Sequence, residues 1–345
     1  QFPGSGVRGC GCREPGPPPG GPGWLRQTAG MDHTASGLHR RSIVIDTDTA
    51  SDDAVALMLA VRDPAVAVRA VTVVAGNVPL DLAVRNAIVT LDICGGADIE
   101  VHAGRDRPLA RALDTAQFVH GEDGMGGAAL PDPSRSLTSS DAVGVLLDIA
   151  AAEPGLHDLV TIGPLTNIAA ALERDPAFLT RFGHHYMMAG SPDGVGNVNA
   201  VGEYNVWADP DAATSVLAAP GAKTMIGWNI SRRFAVLTSD EQDQLARVGP
   251  LGKFAVDING DVEQYCLDTG LAGFDLPDPV AMAVALDDSI VTEATDESLV
   301  VGLDGPTRGC TIPDRRHRRN DPDIRVVWAV DEAAFKRRLL AACAG

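Results

Sequence analysis

The sequence predicts an α/β fold in one domain, built on an open, mainly parallel sheet flanked by helices. Short, highly apolar runs such as Ile43-Val44-Ile45 alternate along the chain with longer helical patterns such as residues 80–93. This alternation is typical of βαβ units. The predicted strands are also short and almost wholly apolar, as expected when helices cover both faces of the sheet.

Each predicted element follows from its local pattern, apolar and often β-branched for strands and longer for helices. The predicted strands are residues 43–45, 68–74, 158–162, 184–189, 223–226, 298–301 and 324–330. The predicted helices are residues 54–61, 80–93, 142–152, 167–173, 210–217, 279–286 and 332–342. Residues 1–40 carry no such pattern, and residues 15–23 are entirely Pro and Gly. We therefore expect a disordered extension over 1–40, with Met31 as the start of the functional polypeptide, and a catalytic domain over 41–345.

Composition and charge exclude several classes of function. The chain has 46 acidic and 28 basic residues and a net charge of -18, which disfavours nucleic acid and anionic membranes as partners. No apolar run is long enough for a transmembrane helix. Of the six cysteines, Cys94, Cys266, Cys310 and Cys343 are scattered singly. We interpret these four as buried or free thiols in a reducing compartment, the cytoplasm.

An acidic cluster lies where the first predicted strand gives way to a helix. Asp46, Asp48, Asp52 and Asp53 fall within eight residues, the last two in the first turn of the helix, where the dipole favours negative charge. Crowded carboxylates repel one another unless a cation or shared protons compensate. Their oxygens suit a hard divalent cation, so the cluster predicts a metal site. The alternative is a solvated acidic turn capped by Ser51 or Asp52.

A phosphatase chemistry is possible on the same residues. A strand followed by Asp46 and Asp48 in the pattern DxDxT resembles the signature of haloacid-dehalogenase-type phosphatases. In those enzymes the residue matching Asp46 is the nucleophile and that matching Asp48 the acid/base. They also use a lysine near the phosphate, and this chain has only Lys223, Lys253 and Lys336.

Further polar clusters follow other strands, and ligands of open parallel sheets bind outside the carboxyl ends of the strands. The clusters are Asn77, residues 162–167, residues 197–205 and Asp278. Amides and carboxylates accept from and donate to the vicinal hydroxyls of a sugar. A phosphate site would instead need Arg, Lys or a glycine-rich nest. The clusters together therefore favour a sugar-containing ligand.

These motifs make the chain similar to nucleoside hydrolases of the inosine–uridine-preferring type. Residues 46–54 resemble the DxDxxxDDA signature of that family, with Thr49-Ala50 where the family usually has Pro-Gly. The other matching motifs are Gly76-Asn77, residues 120–126, residues 163–167, Asn197 with Glu203-Tyr204-Asn205, Asp209-Pro210 and Asp278-Pro279. The resemblance runs from about Ser42 to the C-terminus.

The resemblance implies a fold, an activity and a set of site residues. The fold is a Rossmann-like α/β core, and the activity is Ca²⁺-dependent hydrolysis of the N-glycosidic bond of ribonucleosides, through an oxocarbenium-like state. The implied metal ligands are Asp48, Asp53, Asp278 and the backbone carbonyl of Ile162. The implied substrate contacts are Asp52, Asn77, Asn197, Glu203, Asn205 and Asp278. Asp48 is also placed to deprotonate a metal-bound water, and the family suggests a homodimer or homotetramer.

The proton donor to the leaving base departs from the family pattern. Many members have a histidine where this chain has Pro277, which cannot act as an acid. His120 lies in a matching motif and could replace it as a catalytic acid, or could only pack in a loop. We expect a packing role for Tyr265, and core positions for Trp207 and Trp228. The preferred nucleobase therefore stays open, and a catalytically silent nucleoside-binding protein is the remaining alternative.

Overall fold

A computed structural model describes residues 40–314 and 324–344, which belong to one compact unit. The strands are β1 Arg41–Thr47, β2 Val66–Val73, β3 Val101–Ala103, β4 His157–Thr161, β5 His185–Met188, β6 Lys223–Ile226, β7 Val236–Thr238, β8 Gly273–Asp275, β9 Val291–Glu297, β10 Leu299–Val301, β11 Thr311–Pro313 and β12 Ile324–Val330. The α-helices are α1 Ser51–Arg62, α2 Leu80–Cys94, α3 Gln117–His120, α4 Ala142–Ala152, α5 Thr166–Arg174, α6 Tyr204–Ala208, α7 Pro210–Ala218, α8 Trp228–Phe234, α9 Ser239–Val248, α10 Pro250–Asp257, α11 Gly260–Asp268, α12 Pro277–Leu286 and α13 Glu332–Cys343. Short 3₁₀ helices span Phe178–Arg181, Asp288–Ile290 and Gly305–Thr307.

The main sheet has eight strands in the order β3-β2-β1-β4-β5-β6-β12-β9. All neighbours are parallel except β12 and β9, which are antiparallel. The predicted α/β fold with a mainly parallel sheet is therefore confirmed. The segment predicted as a strand over residues 298–301 does form β10, but it pairs with β11 in a separate two-stranded sheet.

Two hydrophobic cores cover the two faces of the main sheet, as its apolar strands require. In β1, Ile43 and Ile45 pack into one core, and Val44 between them packs into the other. The first core also holds the buried faces of α1, α2, α12 and α13, and the second holds those of α4, α5 and α7. The period-two alternation of side chains along a strand thus divides one apolar run between two helical layers.

The register of the parallel strands brings their carboxyl ends to one edge of the sheet. Asp46 of β1 lies beside Thr72 of β2 on one side and Thr161 of β4 on the other. Thr161 in turn lies beside Met187 of β5. The loops that follow β1, β2, β4 and β5 therefore start close together, and these loops hold the predicted polar clusters.

Three further predictions concern the chain as a whole. Cys94, Cys266, Cys310 and Cys343 are all buried and form no disulfide, so the prediction of free thiols is confirmed for these four. Among the helices of residues 40–314 and 324–344, none has both the length and the apolarity needed to cross a membrane. The predicted extension over residues 1–40 lies outside the described residues except for Arg40.

Candidate active site

Asp46 supports the acidic cluster from within the sheet. Its Oδ1 accepts hydrogen bonds from Thr72 Oγ1 at 2.5 Å and from Asn167 Nδ2 at 2.8 Å. Complete burial raises the pKa of the Asp46 carboxyl to about 7. Asn167 also accepts from the backbone N–H of Arg105 at 2.8 Å, so this one amide joins β1, the loop after β3 and the start of α5.

Asp48 follows β1 and is held tightly by two neighbouring loops. Its Oδ2 accepts the backbone N–H of Asn77 at 2.6 Å. A Cβ on Gly76 would lie 2.1 Å from Oδ2, and a Cβ on Gly163 would lie 2.7 Å from Oδ1. Only glycine permits this close approach. The second oxygen, Oδ1, is buried and has no hydrogen-bond partner among the described residues.

Three carboxylates next to Asp48 offer oxygens that lie within 4.8 Å of one another, those of Asp52, Asp53 and Asp278. Asp53 is fixed by Thr47 Oγ1 at 2.6 Å, by the Ala50 N–H at 2.9 Å and by Asn77 Nδ2 at 3.3 Å. Asp278 reaches the group from the first turn of α12. The group therefore differs from the predicted metal ligands at one position. It contains Asp52, which was predicted as a ribose contact, whereas Asp48, a predicted ligand, lies next to it.

The electrostatics of this cluster fit a cation. Burial, together with the charge of Asp53, raises the pKa of Asp48 well above its ordinary value. Burial is also the main cause that raises the pKa of Asp52 to about 7 and that of Asp53 to about 6. For Asp278, burial and the charge of Asp52 act in the same direction. These buried carboxylates repel one another, and one oxygen of Asp48 and one of Asp52 have no hydrogen-bond partner in the part of the chain that the structure describes. Together they form a donor set suited to a hard divalent ion.

A cavity opens above the cluster, and its empty space is about 750 Å³ when the part open to solvent is included. It is lined by eight of the ten predicted site residues, Asp52, Asn77, His120, Ile162, Asn197, Glu203, Asn205 and Asp278. The other two, Asp48 and Asp53, have no exposed surface and do not line it. The structure thus brings the predicted set together, with two carboxylates beneath the floor of the cavity.

The loop after β5 shapes one wall of the cavity through hydrogen bonds to its own backbone. Glu203 caps α6, and its carboxylate accepts the N–H groups of Gly190 at 2.6 Å and Asn205 at 2.8 Å. Asn205 Nδ2 lies 3.4 Å from the carbonyl oxygen of Ile162 and 3.2 Å from that of Met188. These contacts fix a carboxylate and an amide side by side at the cavity.

His120 ends α3 at the rim of the cluster. Its Nδ1 lies 3.0 Å from Ser51 Oγ and 3.7 Å from Asp52 Oδ1. Burial lowers the pKa of His120 to about 4 even though Asp53 and Asp275 oppose the shift. The imidazole is therefore neutral near pH 7.

The cavity also contains residues that the sequence analysis did not assign to it. Trp228, predicted as a core residue, lines the cavity while it packs on the first core, so that prediction was incomplete. Tyr265 lines the cavity as well and contacts Phe118 edge-on, with ring centroids 6.0 Å apart. Asp275, at the end of β8, is a further lining carboxylate. Its position three residues before Asp278 was the signal in the sequence that could have identified it.

The three lysines do not support the phosphatase alternative. Lys223 begins β6, so it lies at the amino edge of the sheet, opposite the acidic cluster. Its Nζ donates to the carbonyl of Ala219. Lys253 pairs with Asp257 on α10, and Lys336 pairs with acidic residues on α9 and α13. A phosphate beside Asp46 would find no lysine there.

The fold and the site together define an α/β protein with an acidic, cation-suited centre beneath a polar cavity at the carboxyl edge of a parallel sheet. Residues 43–337 match the model of the inosine-uridine preferring nucleoside hydrolases. The chain belongs to this family.

Curated relatives and solved structures agree with this assignment. The chain is 34% identical to the pyrimidine-specific ribonucleoside hydrolase RihA of Shewanella woodyi over 86% of its own length and 95% of the relative's. It is 32% identical to the probable uridine nucleosidase 2 of Arabidopsis thaliana, covering 87% and 97%. A 46% identical match to an uncharacterized Schizosaccharomyces pombe protein covers 51% of this chain and 57% of that protein. A purine-preferring ribonucleoside hydrolase from Gardnerella vaginalis superposes with a TM-score of 0.83 at 31% identity, covering 88% and 98%.

Proposed function

We propose that this chain hydrolyses the N-glycosidic bond of ribonucleosides, releasing the free base and ribose, with Ca²⁺ as its metal. The observation that carries the proposal is the cavity over the acidic cluster, which seven predicted substrate or metal residues line together with His120. The family membership and the names of the relatives support the same reaction class.

The cation would be held by Asp48, Asp53, Asp278 and the carbonyl of Ile162, with Asp52 close enough to share it. When bound, it supplies positive charge that neutralises these carboxylates and makes a nearby water more acidic. Asp48 then takes the proton of the attacking water through its unpartnered Oδ1, which is general-base catalysis.

Ribose would be oriented by the amides and carboxylates of the cavity wall. Asn77, Asn197 and Asn205 offer both donors and acceptors to its hydroxyls, and Glu203 and Asp52 offer acceptors. Positive charge develops on the sugar as the bond breaks. The buried carboxylates beneath it stabilise that charge more strongly than water would, because they are already oriented.

His120 contributes on the side of the leaving base. We place Ser51 as the donor to Nδ1 across their 3.0 Å contact, which leaves the proton of the neutral imidazole on Nε2. From there it donates a hydrogen bond to the base as negative charge develops on it. Pro277, which replaces the histidine of many relatives, has no proton to offer at this position.

A panel of ribonucleosides incubated with the purified full chain and Ca²⁺ tests the proposal. Free ribose is measured by a reducing-sugar assay, bound metal by elemental analysis, and phosphate release from p-nitrophenyl phosphate in parallel. We expect at least one nucleoside to be hydrolysed and the phosphoester to remain intact. Asp48→Asn keeps the size of the side chain and should lower kcat by roughly 10²- to 10⁴-fold, the usual contribution of a general base.

Two outcomes would contradict the proposal. If no nucleoside in the panel releases ribose although bound metal is confirmed, the remaining interpretation is a protein that binds nucleosides without hydrolysing them. Phosphate release would favour the phosphatase.

The four free thiols also support the proposal of a cytoplasmic enzyme. Sedimentation of the same preparation tests whether the enzyme is a homodimer or a homotetramer.

A further inference from the structure

One carboxylate in the cavity, Asp275, is neither a proposed ribose contact nor a proposed metal ligand. Asp52, Glu203 and Asp278 line the cavity and belong to the proposed ribose and metal site, whereas Asp275 lines it from the end of β8. Asp275 accepts a hydrogen bond from Trp228, and Tyr265 lines the same cavity. The charge of Asp275 also acts on Asp52, so the carboxylate faces the site from this side.

Asp275 is held in one orientation by side chains from two helices. Its Oδ2 accepts from Trp228 Nε1 at 2.8 Å and from Ser231 Oγ at 3.1 Å, both on α8. Its Oδ1 accepts from the thiol of Cys266, on α11, at 3.3 Å. A thiol is a weak donor, so Oδ1 keeps acceptor capacity that a ligand can use.

Aromatic side chains line the same cavity as Asp275. They are Phe118, Trp228 and Tyr265, and their rings suit a planar ligand. Asp275 is 7% exposed, and no lysine or arginine lines the cavity within the described residues. An N–H group of a bound ligand is therefore the partner that would best satisfy Oδ1.

We propose that Asp275 determines the base specificity of this site: its Oδ1 accepts an N–H from the edge of the nucleobase. The substrate class is ribonucleosides whose base presents an imino or amino N–H there, such as uridine, cytidine, inosine or guanosine. This inference rests on the proposed hydrolase function and adds the group that recognises the base.

The amide variant Asp275→Asn reverses the pattern of donors and acceptors. Trp228 and Ser231 both donate toward the position of Oδ2, so they hold the oxygen of the new amide there. The NH₂ group then occupies the position of Oδ1 and presents a donor where the base also presents one. For a nucleoside whose base lacks this N–H, kcat/KM should not fall in Asp275→Asn.

The experiment compares each N–H nucleoside with the analogue in which that N–H is methylated, uridine with 3-methyluridine and inosine with 1-methylinosine. We expect wild-type kcat/KM to favour the N–H member by roughly 10- to 100-fold, the range for a hydrogen bond to a charged group. In Asp275→Asn this ratio should fall at least tenfold. Asp243→Asn makes the same chemical change at an exposed residue of α9 and should leave the ratio unchanged.

A second variant tests the proposal independently in case Asp275→Asn does not fold. Cys266→Ser is nearly isosteric and offers Oδ1 a stronger donor, so it should also lower the ratio while the carboxylate stays in place. Melting temperatures establish whether each variant is folded. If Asp275 only stabilises the packing of β8 against α8, both variants change kcat/KM for all substrates by one common factor. That result overturns the proposal.

Binding of the free bases separates this inference from the proposed function. Calorimetry with uracil and 3-methyluracil needs no turnover, and we expect wild type to favour uracil and Asp275→Asn to lose that preference. Selective binding without hydrolysis of any nucleoside would reject the proposed function and keep the role of Asp275. Hydrolysis with equal rates for both members of each pair would reject the role of Asp275 and keep the function.

Discussion

Replacing Asn167 by alanine should destabilise the protein and disturb the site, although Asn167 does not line the cavity. The amide is fully buried at the start of α5. Its Nδ2 donates to Asp46 Oδ1 and, at 3.2 Å, to the carbonyl of Val73, and its Oδ1 accepts from the N–H of Arg105. Three segments of the carboxyl edge therefore lose a shared partner in Asn167→Ala.

The magnitude follows from which partners are left unsatisfied. The carbonyl of Val73 keeps the N–H of Gly104 at 2.8 Å, so it costs little. The N–H of Arg105 loses its partner, and the buried Asp46 carboxylate keeps only Thr72. A lost bond costs about 1–3 kcal/mol when its partner stays buried, as Asp46 does, and less for the part-buried N–H of Arg105. The free energy of unfolding should therefore fall by about 2–5 kcal/mol.

Urea unfolding followed by far-UV circular dichroism measures this change. The control Gln244→Ala removes an exposed amide from α9 and should change the free energy of unfolding by less than about 0.5 kcal/mol. Asn167→Asp adds a sharper comparison, because it places a second carboxylate against Asp46. Its destabilisation should be larger at pH 8 than at pH 5, since the pKa of Asp46 is about 7. A loss below about 1 kcal/mol in Asn167→Ala would refute the reasoning.

Three further changes test the acidic cluster and His120. In Gly76→Ala the new Cβ would lie 2.1 Å from Asp48 Oδ2 and would displace this carboxylate. Because a catalytic group misplaced by about 1 Å can cost roughly 100-fold in rate, kcat should fall by about that factor in a folded protein. Activity within about threefold of wild type contradicts this expectation. Ca²⁺ should raise the melting temperature more at pH 8 than at pH 5.5. The pKa values of Asp52 (about 7) and Asp53 (about 6) are raised, so the metal-free fold loses stability as pH rises through these values. The metal binds the ionised carboxylates and therefore stabilises the fold more at high pH. A rise in melting temperature that is the same at both pH values argues against metal binding by these groups. His120→Ala should lower kcat/KM unequally for purine and pyrimidine nucleosides, and an equal loss shows that His120 does not act on the base.

The sequence predicts the parallel sheet because its strands are short, apolar and separated by helices. β1, β2, β4, β5, β6 and β12 all fall on predicted strands. The edge strand β9 was not predicted, because its pattern of exposed Thr, Glu and Asp gives no apolar run. β8 has only three residues, too few for periodicity to be visible. Both are defined by their partners across the sheet, which local sequence does not reveal.

The same division applies to the site. Asp48 and Ile162 directly follow strands, and Asn77 lies in the loop after β2. Their meeting at the carboxyl edge could therefore be inferred from topology. Asp275 and Trp228 reach the cavity through β8 and α8, outside the main sheet. Nothing in the residue pattern reveals that an indole N–H meets a carboxylate 47 positions away.

Most residues proposed to handle ribose and metal lie in the segments that follow β1, β2, β4 and β5 of the main sheet, and Asp278 on α12 is the exception. The proposed base side of the cavity is lined from α3, α8, α11 and β8, and β8 pairs outside the main sheet. Relatives named for pyrimidines and for purines are accordingly similar to this chain to nearly the same degree, at 34% and 31% identity. Overall similarity therefore does not assign its base, and the proposed contact between the base and Asp275 is the feature that tests it directly.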